Sequence, residues 1–202
     1  MKFQIFKTKC NITEKIFILS LTLLLGILTF KTFFYSTLDI VTIIKYVLIV
    51  ILFLILAFLA YYDFKKLEVH NTISLVLMII LVVLNSSLFL IYGSELEIEI
   101  LNNWTYSPYQ NIIGTLTLGS IFQLIVLITK EKALGQGDVR IAIITGMIIG
   151  FNNLMFWGYI TIFTALIYGF FLSYKKKRFK NLKLPLVPFM VLGILLMILV
   201  NI

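Results

Sequence analysis

Apolar residues fall along this chain in long runs, and most polar residues gather in the short gaps between them. Seven runs can be drawn, roughly Ile16–Phe34, Val41–Tyr62, Thr72–Tyr92, Asn111–Ile128, Val139–Phe151, Leu154–Tyr174 and Leu184–Ile202. Most hold the ~17–25 residues that a helix needs to cross roughly 30 Å of hydrocarbon. The fifth run is shorter, about 13 residues after Asp138. It spans only if its helix starts earlier, near Ala133, or if the membrane is locally thin. The first option sets Gly135–Asp138 at or just below the membrane surface.

Composition agrees with this pattern. Of 202 residues, 61% are hydrophobic and 13% charged, too apolar a surface for a soluble domain of this size. The expected fold is all-α: a single polytopic membrane domain of about seven transmembrane helices spanning residues 1–202. The net charge of +8 does not point to nucleic acid, because the bases sit in short loops with no soluble domain to hold a duplex.

The bases do give an orientation. With the N-terminus in the cytoplasm and the runs alternating, 15 of the 17 Lys and Arg fall inside, and only Lys31 and Lys45 lie near the outer face. That asymmetry is what the positive-inside rule demands. Residues 1–15 become a basic cytoplasmic arm. Residues 93–110 become an extracytoplasmic loop carrying Glu95, Glu97 and Glu99, with Trp104, Tyr106 and Tyr109 as interfacial anchors. Residues 175–183 become a basic cytoplasmic loop that meets anionic lipid headgroups. The first run is long for a signal-peptide core and has no small-residue cleavage site, so it reads as a retained helix.

Chemistry is sparse. Cys10 is the only cysteine and His70 the only histidine, so no disulfide, zinc cluster or other metal site is expected, and no cofactor. There are three aspartates: Asp39, Asp63 and Asp138. Asp63 closes the second run and Asp138 opens the fifth, and the topology puts both at the cytoplasmic face, at one depth. A carboxylate at a membrane boundary is costly unless paired or functional. Two carboxylates a few Å apart share one proton. The ionised member can take a proton from water, and the protonated one can polarise a carbonyl or protonate a leaving amine. That is aspartyl peptidase chemistry.

Gly135-Gln136-Gly137-Asp138-Val139-Arg140 carries the second aspartate. Its glycines permit positive φ and close backbone approach, which lets a peptide strand lie against the loop. Taken alone, G-x-G-D reads equally well as a glycine-rich turn with an N-cap aspartate.

At this stretch the chain resembles the type IV prepilin peptidase family, the G-x-G-D membrane aspartyl proteases. That family's second motif is G-x-G-D-x-K-hydrophobic with later glycines; here Gly135 to Ile141 matches, Arg140 stands for lysine, and Gly146 and Gly150 follow. Its first motif is an aspartate ending a helix, a short basic loop and a Pro-Asn or Pro-Asp pair. Asp63 to Asn71 has that form, with His70 in place of proline. Leu184-Pro185-Leu186-Val187-Pro188-Phe189 is similar to the family's I-P-F-G-P-F segment. The resemblance runs from about Val41 to the C-terminus.

The resemblance implies an aspartic endopeptidase that removes basic leaders from type IV prepilin or pseudopilin precursors at the cytoplasmic face of the cell membrane. Asp63 and Asp138 would be catalytic, with Gly135, Gly137, Arg140 and Asn71 in support. The paired cysteines associated with methylation of the new N-terminus are not found in this sequence, so it reads as a short, peptidase-only form. A presenilin or signal-peptide-peptidase type shares G-x-G-D and the Tyr62-Asp63 pair, but its aspartates lie deep in the bilayer, and Lys65 and Lys66 follow Asp63 at once. A non-enzymatic membrane assembly factor or permease is the alternative from another class.

Overall fold

A computed structural model of the chain describes Thr22, Gly26 and residues 40–101, 104–132, 134–176 and 184–201. The rest of the predicted first segment, the 1–15 arm and residues 177–183 of the basic loop lie outside the described residues; Thr22 and Gly26 are helical. The described chain forms α1 (Ile40–Lys66), α2 (Asn71–Tyr92), a hairpin of β1 (Ile98–Leu101) and β2 (Trp104–Tyr106), then α3 (Pro108–Thr129), α4 (Gln136–Ile149), α5 (Leu154–Lys176) and α6 (Val187–Asn201). Among the described residues, four helical stretches are long and apolar enough to cross a membrane: Val47–Lys66, Asn71–Tyr92, Pro108–Thr129 and Leu154–Tyr174. That is the pattern of a multi-pass membrane protein.

Three boundaries differ from the sequence reading, each for a local reason. Helix α1 does not end at Tyr62. It continues through Lys66, where Lys65 and Lys66 pack their ammonium groups over the rings of Tyr61 and Tyr62 one turn back. The helix stops at Leu67, whose φ of 56° is the left-handed conformation that ends many helices. Asp63 therefore lies inside the last turn. The predicted 93–110 loop contains the antiparallel hairpin, with Ile98 opposite Tyr106, and α3 starts earlier than predicted, at Pro108. Proline suits a first helical turn because its missing N–H has no intrahelical partner there. Helix α4 starts at Gln136 rather than near Ala133 and has 14 residues, a rise of about 21 Å.

The core lies between short helices and long ones. Ile141, Ala142, Ile144, Ile148 and Ile149 of α4 and Met190, Val191, Ile194, Leu195, Met197 and Ile198 of α6 are buried against Phe53, Leu56, Leu59 and Ala60 of α1. The α3–α4 contact is backbone on backbone. A Cβ on Gly146 would stand 2.7 Å from the carbonyl carbon and oxygen of Gly114, and one on Gly114 would stand 2.8 Å from the carbonyl carbon of Gly150. Small residues at such crossings are how helices pack without a hydrophobic driving force between them. On the other side of the core, the Trp157 indole donates to the Met190 carbonyl at 3.1 Å, and Gly193 leaves room for Trp157 and Thr161. At the hairpin end the Tyr106 hydroxyl donates to Asn85 Oδ1 at 2.7 Å, and burial pushes this phenol up to about 12.

Candidate active site

Asp63 arrives from the last turn of α1 and is 4% exposed. Its Oδ2 accepts the Val187 backbone N–H at 3.1 Å, from the first residue of α6, and the Leu186 amide bears on the same carboxyl group. The carboxylate thus caps a helix that begins 124 residues later. The physical reason is that amides at a helix start have no intrahelical acceptor and carry the positive end of the helix dipole.

Asp138 arrives from the other direction, at the third residue of α4. Its Oδ2 accepts the Gly135 N–H at 3.0 Å, folding the side chain back over the start of its own helix. It is a first-turn aspartate rather than the N-cap. Burial pushes its carboxyl above the usual carboxylate range, with the Gly135 N–H acting in the opposite sense.

The remaining predicted site residues lie around this pair. Gly137 has Val69 against it: a Cβ there would stand 2.7 Å from the Val69 Cβ and Cγ2. Val69 belongs to the loop after Asp63, so the close approach that this glycine permits is to the chain's own first motif. The positive φ expected of the pair is found at neither Gly135 nor Gly137, and Gly135 has open space around it apart from the Asp138 carboxylate and the Gly137 amide. The Arg140 guanidinium donates to Asn71 Oδ1, a second tie between the motifs. His70, in the place of the expected proline, is the N-cap of α2. Its Nδ1 accepts the Ile73 N–H at 3.4 Å, and Tyr62 packs edge-on against it with ring centres 5.2 Å apart. Glu68 and Glu131 are exposed. Among the described residues no group of three or more His, Cys, Asp and Glu is placed to hold a metal.

A groove of about 520 Å³ reaches Leu186, the neighbour of the residue whose amide Asp63 accepts. Trp157, Gly158, Ala165 and Gly169 of α5 form one wall, with Phe122 of α3 and the Leu186 side chain closing it. Leu186 thus faces the groove with its side chain and Asp63 with its amide.

Two aspartates from distant motifs, tied by Gly137–Val69 and Arg140–Asn71, match a family-level comparison. The type IV leader peptidase family matches residues 48–170, about three fifths of the chain. The chain belongs to that family. The match takes in both aspartates and the G-x-G-D stretch, and marks the protein as a protease. Nothing among the curated proteins or the solved structures matches the chain. The Pro185–Phe189 segment lies beyond the matched residues, yet supplies the amides on Asp63. Sequence reasoning singled this segment out by its prolines but gave it no task. The signal was there: Pro185 and Pro188 lack N–H groups and flank two residues that have them.

Proposed function

We propose that the chain is an aspartic endopeptidase of the prepilin leader peptidase type, with Asp63 and Asp138 as its catalytic pair. The observation that carries this reading is that the Gly137–Val69 and Arg140–Asn71 contacts join the two aspartate-bearing motifs in a member of the type IV leader peptidase family. One carboxylate takes a proton from water as the water oxygen attacks the scissile carbonyl. The other, protonated, hydrogen-bonds the carbonyl oxygen. Collapse of the tetrahedral intermediate breaks the C–N bond, and a proton passes to the leaving amine.

The substrate in this reading is a type IV prepilin or pseudopilin precursor whose apolar helix lies in the membrane and whose basic leader lies at the cytoplasmic face. Lys65 and Lys66 follow Asp63 directly, and the positive-inside rule puts such a turn in the cytoplasm. The groove beside Leu186 has the uncharged wall that an apolar helix requires, and the exposed Glu68 and Glu131 are the nearby acids for a basic leader.

The test is cleavage of a co-expressed precursor in membranes. Asp63→Ala and Asp138→Ala are expected to insert normally and to reduce cleavage to background. Cleavage retained by either variant overturns the assignment.

A further inference from the structure

Helix α6 begins in an unusual way. Four residues surround its start: Pro185, Leu186, Val187 and Pro188. The two prolines have no N–H to satisfy. The Phe189 and Met190 amides both donate to the Leu186 carbonyl at 3.1 Å. In this first turn, therefore, only the Leu186 and Val187 amides lack an acceptor within their own helix, and Val187 is fully buried. Buried amides are almost always paired. The Val187 amide donates to the Asp63 carboxylate at 3.1 Å, and the Leu186 amide acts on the same group more weakly.

Asp63 sits on α1, and that helix supplies only its backbone position. The rotamer is set by α6. Any other Asp63 rotamer strands the buried Val187 amide at a helix start, an uncompensated loss for the C-terminal helix.

We propose that the Pro185–Pro188 segment is a positioning element for the peptidase reaction: its buried Val187 amide locks the Asp63 carboxyl group in the orientation in which it works with Asp138. This rests on the catalytic reading of Asp63. Val187 touches no substrate in this account; it acts through Asp63 alone. The prolines are the device that leaves the Val187 amide for that purpose.

Val187→Pro tests it with little disturbance of the backbone, because proline is well accommodated at the first helical position and residue 187 already precedes a proline. Precursor cleavage is measured in membranes for wild type, Asp63→Ala, Val187→Pro and Val187→Ala, with kcat and KM separated. The expected result is no cleavage for Asp63→Ala and a kcat at least tenfold lower for Val187→Pro with KM changed by less than twofold. Val187→Ala, which keeps the amide and trims only the side chain, is expected to lose threefold or less. An amide-to-ester replacement at position 187, which removes the N–H and keeps the valine side chain, is expected to reproduce the kcat loss of Val187→Pro, and it decides the matter if the proline variant fails to insert. Asp63→Ala inactive with both N–H deletions at wild-type kcat overturns the inference and leaves the catalytic pair standing. An equal kcat loss in Val187→Ala also overturns it, because packing would then be the cause. Cleavage by Asp63→Ala overturns the catalytic reading and the inference with it.

Discussion

Helices α4 and α5 are neighbours in sequence and opposites in placement. Helix α4 has 14 residues, of which nine are buried: Val139, Ile141, Ala142 and the run Ile144–Ile149. Helix α5 has 23 residues; among its described side chains Trp157, Thr161 and Ser173 are buried, while Tyr159, Phe163, Phe170 and Tyr174 stand well exposed. The longer helix is the one long and apolar enough to cross a membrane, and most of its aromatic side chains lie on the outside. The shorter one carries the second aspartate and Gly146, whose backbone lies against that of Gly114. Lipid tails are as apolar as leucine, so outward-facing apolar residues cost nothing in a bilayer. What earns a place inside is shape and polar function. The same contrast separates α6, whose start holds Asp63, from α2, whose exposed face includes Val76, Ile79, Ile80 and Val83.

This contrast breaks most sharply at glycine. Gly146→Val puts a branched side chain where even a Cβ would be 2.7 Å from the Gly114 backbone. Rigid backbone on both sides cannot move aside, so a loss at or above the upper end of the ~1–3 kcal/mol range for overpacking is expected. Resistance to unfolding in detergent micelles on titration with SDS measures it. Gly137→Ala is expected to cost somewhat less, about 1–2 kcal/mol, because the obstacle is the Val69 side chain. It is also expected to slow cleavage by separating the two motifs. Adding Val69→Ala relieves part of the clash, and a double-mutant cycle should show favourable coupling. No coupling would mean that the Gly137–Val69 contact does not hold the motifs together.

Trp157→Phe removes the indole donor to Met190 and is expected to cost about 1 kcal/mol in the same unfolding assay. At the quiet end, Gly158→Ala on α5 meets nothing within 4 Å. It is expected to leave stability unchanged or raise it by up to ~1 kcal/mol through helix propensity. A loss from Gly158→Ala as large as that from Gly146→Val would erase the distinction between the two helices.

Much of the candidate site was legible in the residue order. Asp63 and Asp138 stood out as carboxylates beside basic turns, and Gly137 as a place where something comes close. The ties between them were not. Nothing in the local pattern says that Val69 fills the space at Gly137, that Arg140 reaches Asn71, or that His70 caps α2 where proline was expected. These pairings join residues roughly seventy positions apart, or depend on a rotamer. The end of α1 was misplaced because Asp63, Lys65 and Lys66 look like a loop, whereas lysine side chains packed over Tyr61 and Tyr62 let the helix run on. The hairpin at 98–106 was too short for its alternation to register against the apolar runs.

The sequence by itself determined which segments suit a bilayer, where the two aspartates stand on them and which family the chain belongs to. These follow from hydropathy, charge asymmetry and motifs, all of them local along the chain. Only the tertiary structure decided which helices lie inside, what holds each carboxylate and which residues bridge the motifs. Apolarity is the same signal for a lipid-facing face and a buried one, so it cannot rank helices by depth within the bundle. An amide at residue 187 becomes a partner of Asp63 only when the helices carrying them have packed together.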